Sequence, residues 1–180
     1  MSNVQTGPKL EDRLPDQANR GLSARKLAIM AIFIALSAVG ALIKIPSPVG
    51  TVALDAAPGF FVAIGFGGWL GAVVAAIGHL LTAGITGFPL TLPVHLAIAV
   101  GMAACAWVYG WFGRKGPVGL VIGFVLAVII NAPVLGLIMV PIGGWALYVA
   151  ALPSLAIGAV VNLAIATLAY QALRKTRLLS

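Results

Sequence analysis

The chain has 180 residues, 61% of them hydrophobic and only 8% charged, with a formal net charge of +7 and a mean hydropathy of +1.10; soluble domains carry about 25% charged residues. The 147 residues from Leu27 to Leu173 hold four formal charges, Lys44, Asp55, Arg114 and Lys115, which excludes an ordinary water-soluble enzyme or nucleic-acid-binding domain and makes the bilayer the relevant solvent. A single cysteine, Cys105, excludes an intramolecular disulfide and a cysteine-based zinc site.

Residues 1–23 are polar, carry Pro8, Pro15 and Gly21, and lack the apolar core of a cleavable signal. They read as a solvated, mobile cytoplasmic tail in front of one membrane domain over residues 24–180. Helix-length apolar runs follow, divided by Gly, Pro and charge. Helices are predicted at 27–43, 57–67, 69–84, 92–113, 117–140 and 147–173. The fold class is all-α, a polytopic membrane protein of six transmembrane helices. The second run is too short to cross a hydrocarbon core alone; it is tilted, extended by the preceding loop, or fused through Gly67 and Gly68 into a bent unit with the third.

Basic residues near span ends stay cytoplasmic. Lys9, Arg13, Arg20, Arg25 and Lys26 precede the first helix, Arg114 and Lys115 join the fourth and fifth, and Arg174, Lys175 and Arg177 follow the sixth. Six crossings put all three clusters on one side, with both termini cytoplasmic and the loops near 44–56, 85–91 and 141–146 outside. Lys44 alone falls on the outer side. The basic clusters are short helix flanks without interleaved aromatics, so topology accounts for them and no nucleic-acid partner is implied.

Polar side chains inside a bilayer cost roughly 2.5–3.5 kcal/mol for a charge at a helix centre, so each needs a reason. Lys44 and Asp55 flank an outer loop that Pro46-Ser47-Pro48 holds extended; they pair, share a ligand, or are simply wetted. His79 and His95 approach one another across a tight turn containing Gly87, Phe88, Pro89 and Pro93. With Asp55 they offer three potential metal ligands, but no HExxH spacing is present, and no metal is assigned. Asn131 sits in the outer third of the fifth helix, two positions before Pro133, which lacks a backbone donor. Trp145 and Tyr148 are interfacial anchors or a stacking surface for a planar ligand. Asn162 is placed toward the inner half, as an interhelical hydrogen bond. Lys44, Asp55, His79, His95 and Asn131 thus converge in the outer half, on a pocket for a small polar or amphipathic molecule. The inner half is nearly free of polar groups, so no hydrophilic path crosses the chain.

Ala28, Ala31, Ala35 and Ala38 share one face of the first helix, a smooth stripe for close helix approach within the chain or on a partner. Gly71, Ala75 and Gly78 line the third helix similarly. There is no GxxxxGK[ST] loop, so ATP hydrolysis would belong to another subunit. There is no GxSxG and no inverted pair of broken helices of the secondary-transporter kind.

These features resemble the substrate-binding S components of energy-coupling factor (ECF) vitamin transporters, over about residues 24–175. The resemblance rests on Ala31-x-x-x-Ala35, which is similar to that family's Ala-x-x-x-Ala contact motif for its coupling subunit, on the long outer loop after the first helix, and on size and topology. Within the family, PSPVGTVALDAAPGFF and GHLLTAGITGFPLTLPVHL look most like members assigned to α-ribazole, a benzimidazole riboside precursor of cobalamin. The resemblance implies a non-enzymatic subunit of a bacterial cell membrane, needing no cofactor of its own. It binds vitamin outside and works with a transmembrane coupling protein and two ATPases. For a riboside, Asp55, His79, His95 and Asn131 suit hydroxyls and ring nitrogens, and Trp145, Tyr148 or Phe88 suit a flat ring. Another vitamin such as riboflavin, pantothenate or cobalamin remains open, as do an intramembrane His/Asp enzyme and an assembly scaffold.

Overall fold

The structure of the protein, a computed structural model, describes residues 23–47 and 50–176. The predicted tail over residues 1–23, apart from Ser23, lies outside the described residues, as does Arg177. Among the described residues are six α-helices and one short hairpin: α1 (Ala24–Gly40), β1 (Lys44–Ser47), β2 (Gly50–Ala53), α2 (Ala57–Gly65), α3 (Gly68–Ile85), α4 (Leu92–Gly113), α5 (Pro117–Ile129) and α6 (Val140–Leu173).

The Ser23 hydroxyl caps α1 by accepting from the Lys26 amide at 3.4 Å, satisfying one of the helix's orphan donors. The segment expected to be an extended loop holds two short strands, while Pro48 lies outside the described residues. β1 and β2 form an antiparallel hairpin with Lys44 opposite Ala53 and Ser47 opposite Gly50, a small two-stranded unit among described residues that are mostly helical.

The short α2 meets its length problem by burial. Every residue from Ala57 to Ile64 is buried, and Phe60, Val62 and Ile64 are among the most enclosed side chains of the core. It does not fuse with α3 into a bent rod. Gly67, at φ 132°, reverses the chain, and α2 and α3 lie antiparallel, with Gly59 against Ala75 and Gly71 against Ala63. A Cβ on Gly59 would stand 2.7 Å from that of Ala75, so glycine permits the close approach. Gly78 meets Ser37 of α1 in the same way. The small residues of α3 therefore serve internal packing.

Among the described residues three stretches are long and apolar enough to cross a membrane: Gly68–Ile85, Leu92–Gly113 and the 57 residues Pro117–Leu173. A continuous helix of the last length would extend about 85 Å, nearly three hydrocarbon thicknesses. It breaks at Gly143 (φ −140°, ψ 18°) and Gly144 (φ 72°, ψ −175°) and folds back, so Tyr148 of α6 meets Gly136 and donates to the Pro133 carbonyl at 3.2 Å. Before this break the chain widens into a π-helical turn at Ile130–Val134 around Pro133 and tightens into a 3-10 turn at Leu137–Met139. Large apolar side chains such as Ile32, Val100, Val121, Val149 and Leu168 are exposed around the bundle, as lipid contact requires.

Candidate functional site

A cavity of about 410 Å³ lies where α3, α4, α6 and the π turn meet beneath the hairpin, within the size range of small-molecule sites. Lys44, Asp55, His79, His95 and Asn131, from five separate segments, all line it. Phe88, Trp145 and Tyr148 are not among its described lining residues. The Phe88 ring stands edge-on to His95 with centroids 5.7 Å apart. Trp145 is exposed and packs edge-on against Tyr148, whose hydroxyl holds the π turn. Phe88 thus packs on a lining residue and Tyr148 on a lining element. The apolar lining comes instead from Ile98, Met102, Leu135, Ile138, Met139 and Leu155.

The α3–α4 turn sets the histidine pair. Gly87, Phe88 and Thr91 all adopt positive φ, of 79°, 50° and 77°, a conformation that non-glycine residues rarely take. The turn is closed by Phe88 N–H donating to the Ala83 carbonyl at 2.8 Å and Thr91 N–H to the Phe88 carbonyl at 2.9 Å. His79 Nε2 then lies 3.2 Å from His95 Nδ1, and Leu90 N–H donates to His95 Nε2 at 3.4 Å. Since His95 Nε2 accepts, its ring proton sits on Nδ1 and points at His79 Nε2. The Nδ1–H of His79 is then the pair's remaining donor.

Asn162 is the residue whose position sequence reasoning misjudged most. It makes the expected interhelical hydrogen bond, to Ala57 of α2, but lines the cavity rather than sitting toward the inner half. Its Oδ1 accepts from the amides of Ala56 and Ala57 at 3.1 and 2.8 Å, and its Nδ2 donates to the carbonyls of Ala53 and Gly158 at 3.2 and 2.9 Å. One α6 side chain thus caps the amino end of α2, which has no cap of its own, and ties the hairpin to it. Asp55 lies between these anchored points. Burial raises its carboxyl from 3.8 to about 6, while the Thr82 hydroxyl and its own backbone amide pull the other way. Thr82 Oγ1 itself is buried without a partner at full hydrogen-bond geometry. Asn131, on the π turn, donates from Nδ2 to Met102 Sδ at 3.3 Å.

Among the described residues no three His, Cys, Asp or Glu side chains form a group that could hold a metal ion.

The family model of the ECF transporter substrate-specific component matches residues 25–173, nearly the whole membrane domain. The chain belongs to that family. A solved structure, the S component of a bacterial ECF transporter, has the same fold, with a TM-score of 0.68 at 20% identity over 83% of this chain and 95% of that one. No curated protein matches the chain in sequence. As an ECF S component the protein is membrane-embedded, binds a small-molecule substrate and works within a transporter complex; its activity is transport, and it is not an enzyme.

α1 presents two faces. Ser37 is fully buried, and Met30, Phe33 and Ile34 pack on the core, whereas Ala28, Ala31 and Ala35 are exposed. Internal packing therefore does not occupy these three alanines.

Proposed function

We propose that this S component captures α-ribazole, or a closely similar benzimidazole riboside, in the 410 Å³ cavity. The observation that carries the reading is the mixed lining: Asp55, His79 and Asn131 offer an acceptor, a donor and an amide, and Leu90, Ile98, Leu135, Ile138, Met139 and Leu155 among others supply apolar surface. Ribose hydroxyls donate to the Asp55 carboxylate, the Nδ1–H of His79 donates to a ring nitrogen or hydroxyl oxygen, and the fused ring lies against the apolar surface. Lys44, exposed at the hairpin, stands at the rim. The chain crosses the bilayer six times with both termini cytoplasmic, in a bacterial cell membrane, so the cavity opens outward. Ala31 and Ala35 contact a transmembrane coupling subunit, which joins two ATPases that supply the energy.

Equilibrium binding of α-ribazole to the isolated chain in detergent tests this. Submicromolar, saturable binding that Asp55→Ala weakens supports the reading; tighter binding of riboflavin, pantothenate or intact cobalamin would reassign the substrate.

A further inference from the structure

A second cavity, of about 220 Å³, lies at the other end of the bundle, lined by Ile64, Gly65, Arg114, Tyr170 and Arg174. Arg114 follows His95 by nineteen positions, about 28 Å along α4. The arginines come from different places, one from the end of α4 and one from the end of α6. Helix C-termini favour basic residues nearby, but that does not require two guanidiniums to face one cavity. Asp55, the carboxylate among the described residues, precedes α2 while Gly65 ends it, so it lies at the opposite end of that helix from the cavity. Two like charges lining one cavity favour an anion between them.

The height of the cavity narrows the choice of anion. Trp69, Trp107 and Trp111 are all exposed at this end, Trp107 and Trp111 stack at 6.2 Å, and Lys115 Nζ sits 3.1 Å from the Trp111 ring centroid. Exposed Val118, Val121, Ile122 and Val125 follow along α5. A tryptophan and lysine girdle beside an apolar band marks the headgroup level of a bilayer, where phosphates of anionic lipids attract basic groups. We propose that Arg114, Arg174 and Tyr170 bind the phosphate of an anionic phospholipid headgroup. Arginine's planar fork suits phosphate oxygens, and the Tyr170 hydroxyl adds a donor.

The test is native mass spectrometry of the full chain released from phosphatidylcholine nanodiscs with and without phosphatidylglycerol. The wild type is expected to retain phosphatidylglycerol in preference to phosphatidylcholine. Arg114→Gln and Arg174→Gln should each lower that retention about tenfold, and Lys175→Gln, which removes the same charge outside the cavity, should not. Arg114→Lys, a milder change if the glutamine variant misfolds, should reduce retention partially. Equal retention in wild type, R114Q and R174Q would overturn the site, as would an equal loss in K175Q, which would mark diffuse attraction. Displacement of the lipid by inorganic phosphate would assign the cavity to a soluble anion, and retention only when an acidic partner subunit is present would assign it to protein contact; either result overturns the lipid assignment.

Discussion

Burial in the cavity wall raises the Asp55 carboxyl from 3.8 to about 6, so between those values the folded chain holds a proton that the unfolded chain has released. Stability of the empty protein therefore falls as the pH rises through that window. A ligand that donates hydrogen bonds to the carboxylate needs the opposite state, and its binding should weaken as the pH drops below about 6. Melting curves should accordingly show a larger ligand-induced shift at about pH 7 than at about pH 5, and Asp55→Asn should remove the difference. A shift independent of pH in the wild type would show that Asp55 does not meet the ligand. Asn162 carries a structural prediction. Asn162→Leu leaves the Ala56 and Ala57 amides without their acceptor, and each unpaired buried donor costs roughly 1–3 kcal/mol, readable as a lower denaturation midpoint in detergent. The convergence of Lys44, Asp55, His79, His95 and Asn131 was legible because polar groups are rare in this sequence and intramembrane polarity has to be accounted for. The role of Asn162 was not, because Ala53, Ala56 and Ala57, which it ties together, lie 105–109 positions away, beyond any local pattern. Phe88, Trp145 and Tyr148 do not line the cavity; an aromatic ring near a membrane surface has several uses, and the sequence alone does not place it on a cavity wall.

At the level of elements, helix positions followed closely from apolar run length and from Gly and Pro punctuation: 92–113 was expected and Leu92–Gly113 is found. The hairpin was missed because Pro46 and Pro48 suggested a stiff extended loop and its four-residue strands are too short for a readable alternation. The course of α2 also needed the structure, since a nine-residue helix is explicable only once its neighbours enclose it. That enclosure predicts a sharp steric sensitivity. Gly71→Ala places a methyl into the Ala63 backbone, and overpacking of this kind costs typically 1–3 kcal/mol; loss of thermal stability without a change in cavity chemistry is the expected result. α1 predicts the reverse. Ala31→Trp or Ala35→Trp alters an exposed stripe, so ligand binding by the isolated chain should persist while vitamin uptake in cells carrying the coupling and ATPase subunits is lost. Impaired binding with intact uptake would exchange the assigned roles of stripe and cavity.

The molecule as a whole is polarised along its axis. One end holds the larger cavity, with Asp55, the histidine pair and Asn131; the other holds the arginine cavity and the tryptophan girdle. Between them the core is packed by Phe60, Ile64, Val74, Cys105 and Leu163, and Tyr109 satisfies its hydroxyl against Thr167 at 2.8 Å. A closed middle of this kind suits a receptor that captures its substrate at one face and depends on partner subunits to release it at the other. The most direct test is to reconstitute the purified chain alone in liposomes and measure α-ribazole binding and accumulation together. The account predicts saturable submicromolar binding with no accumulation above the bound amount; accumulation by the chain alone, or the absence of binding to any vitamin-like nucleoside, would contradict it.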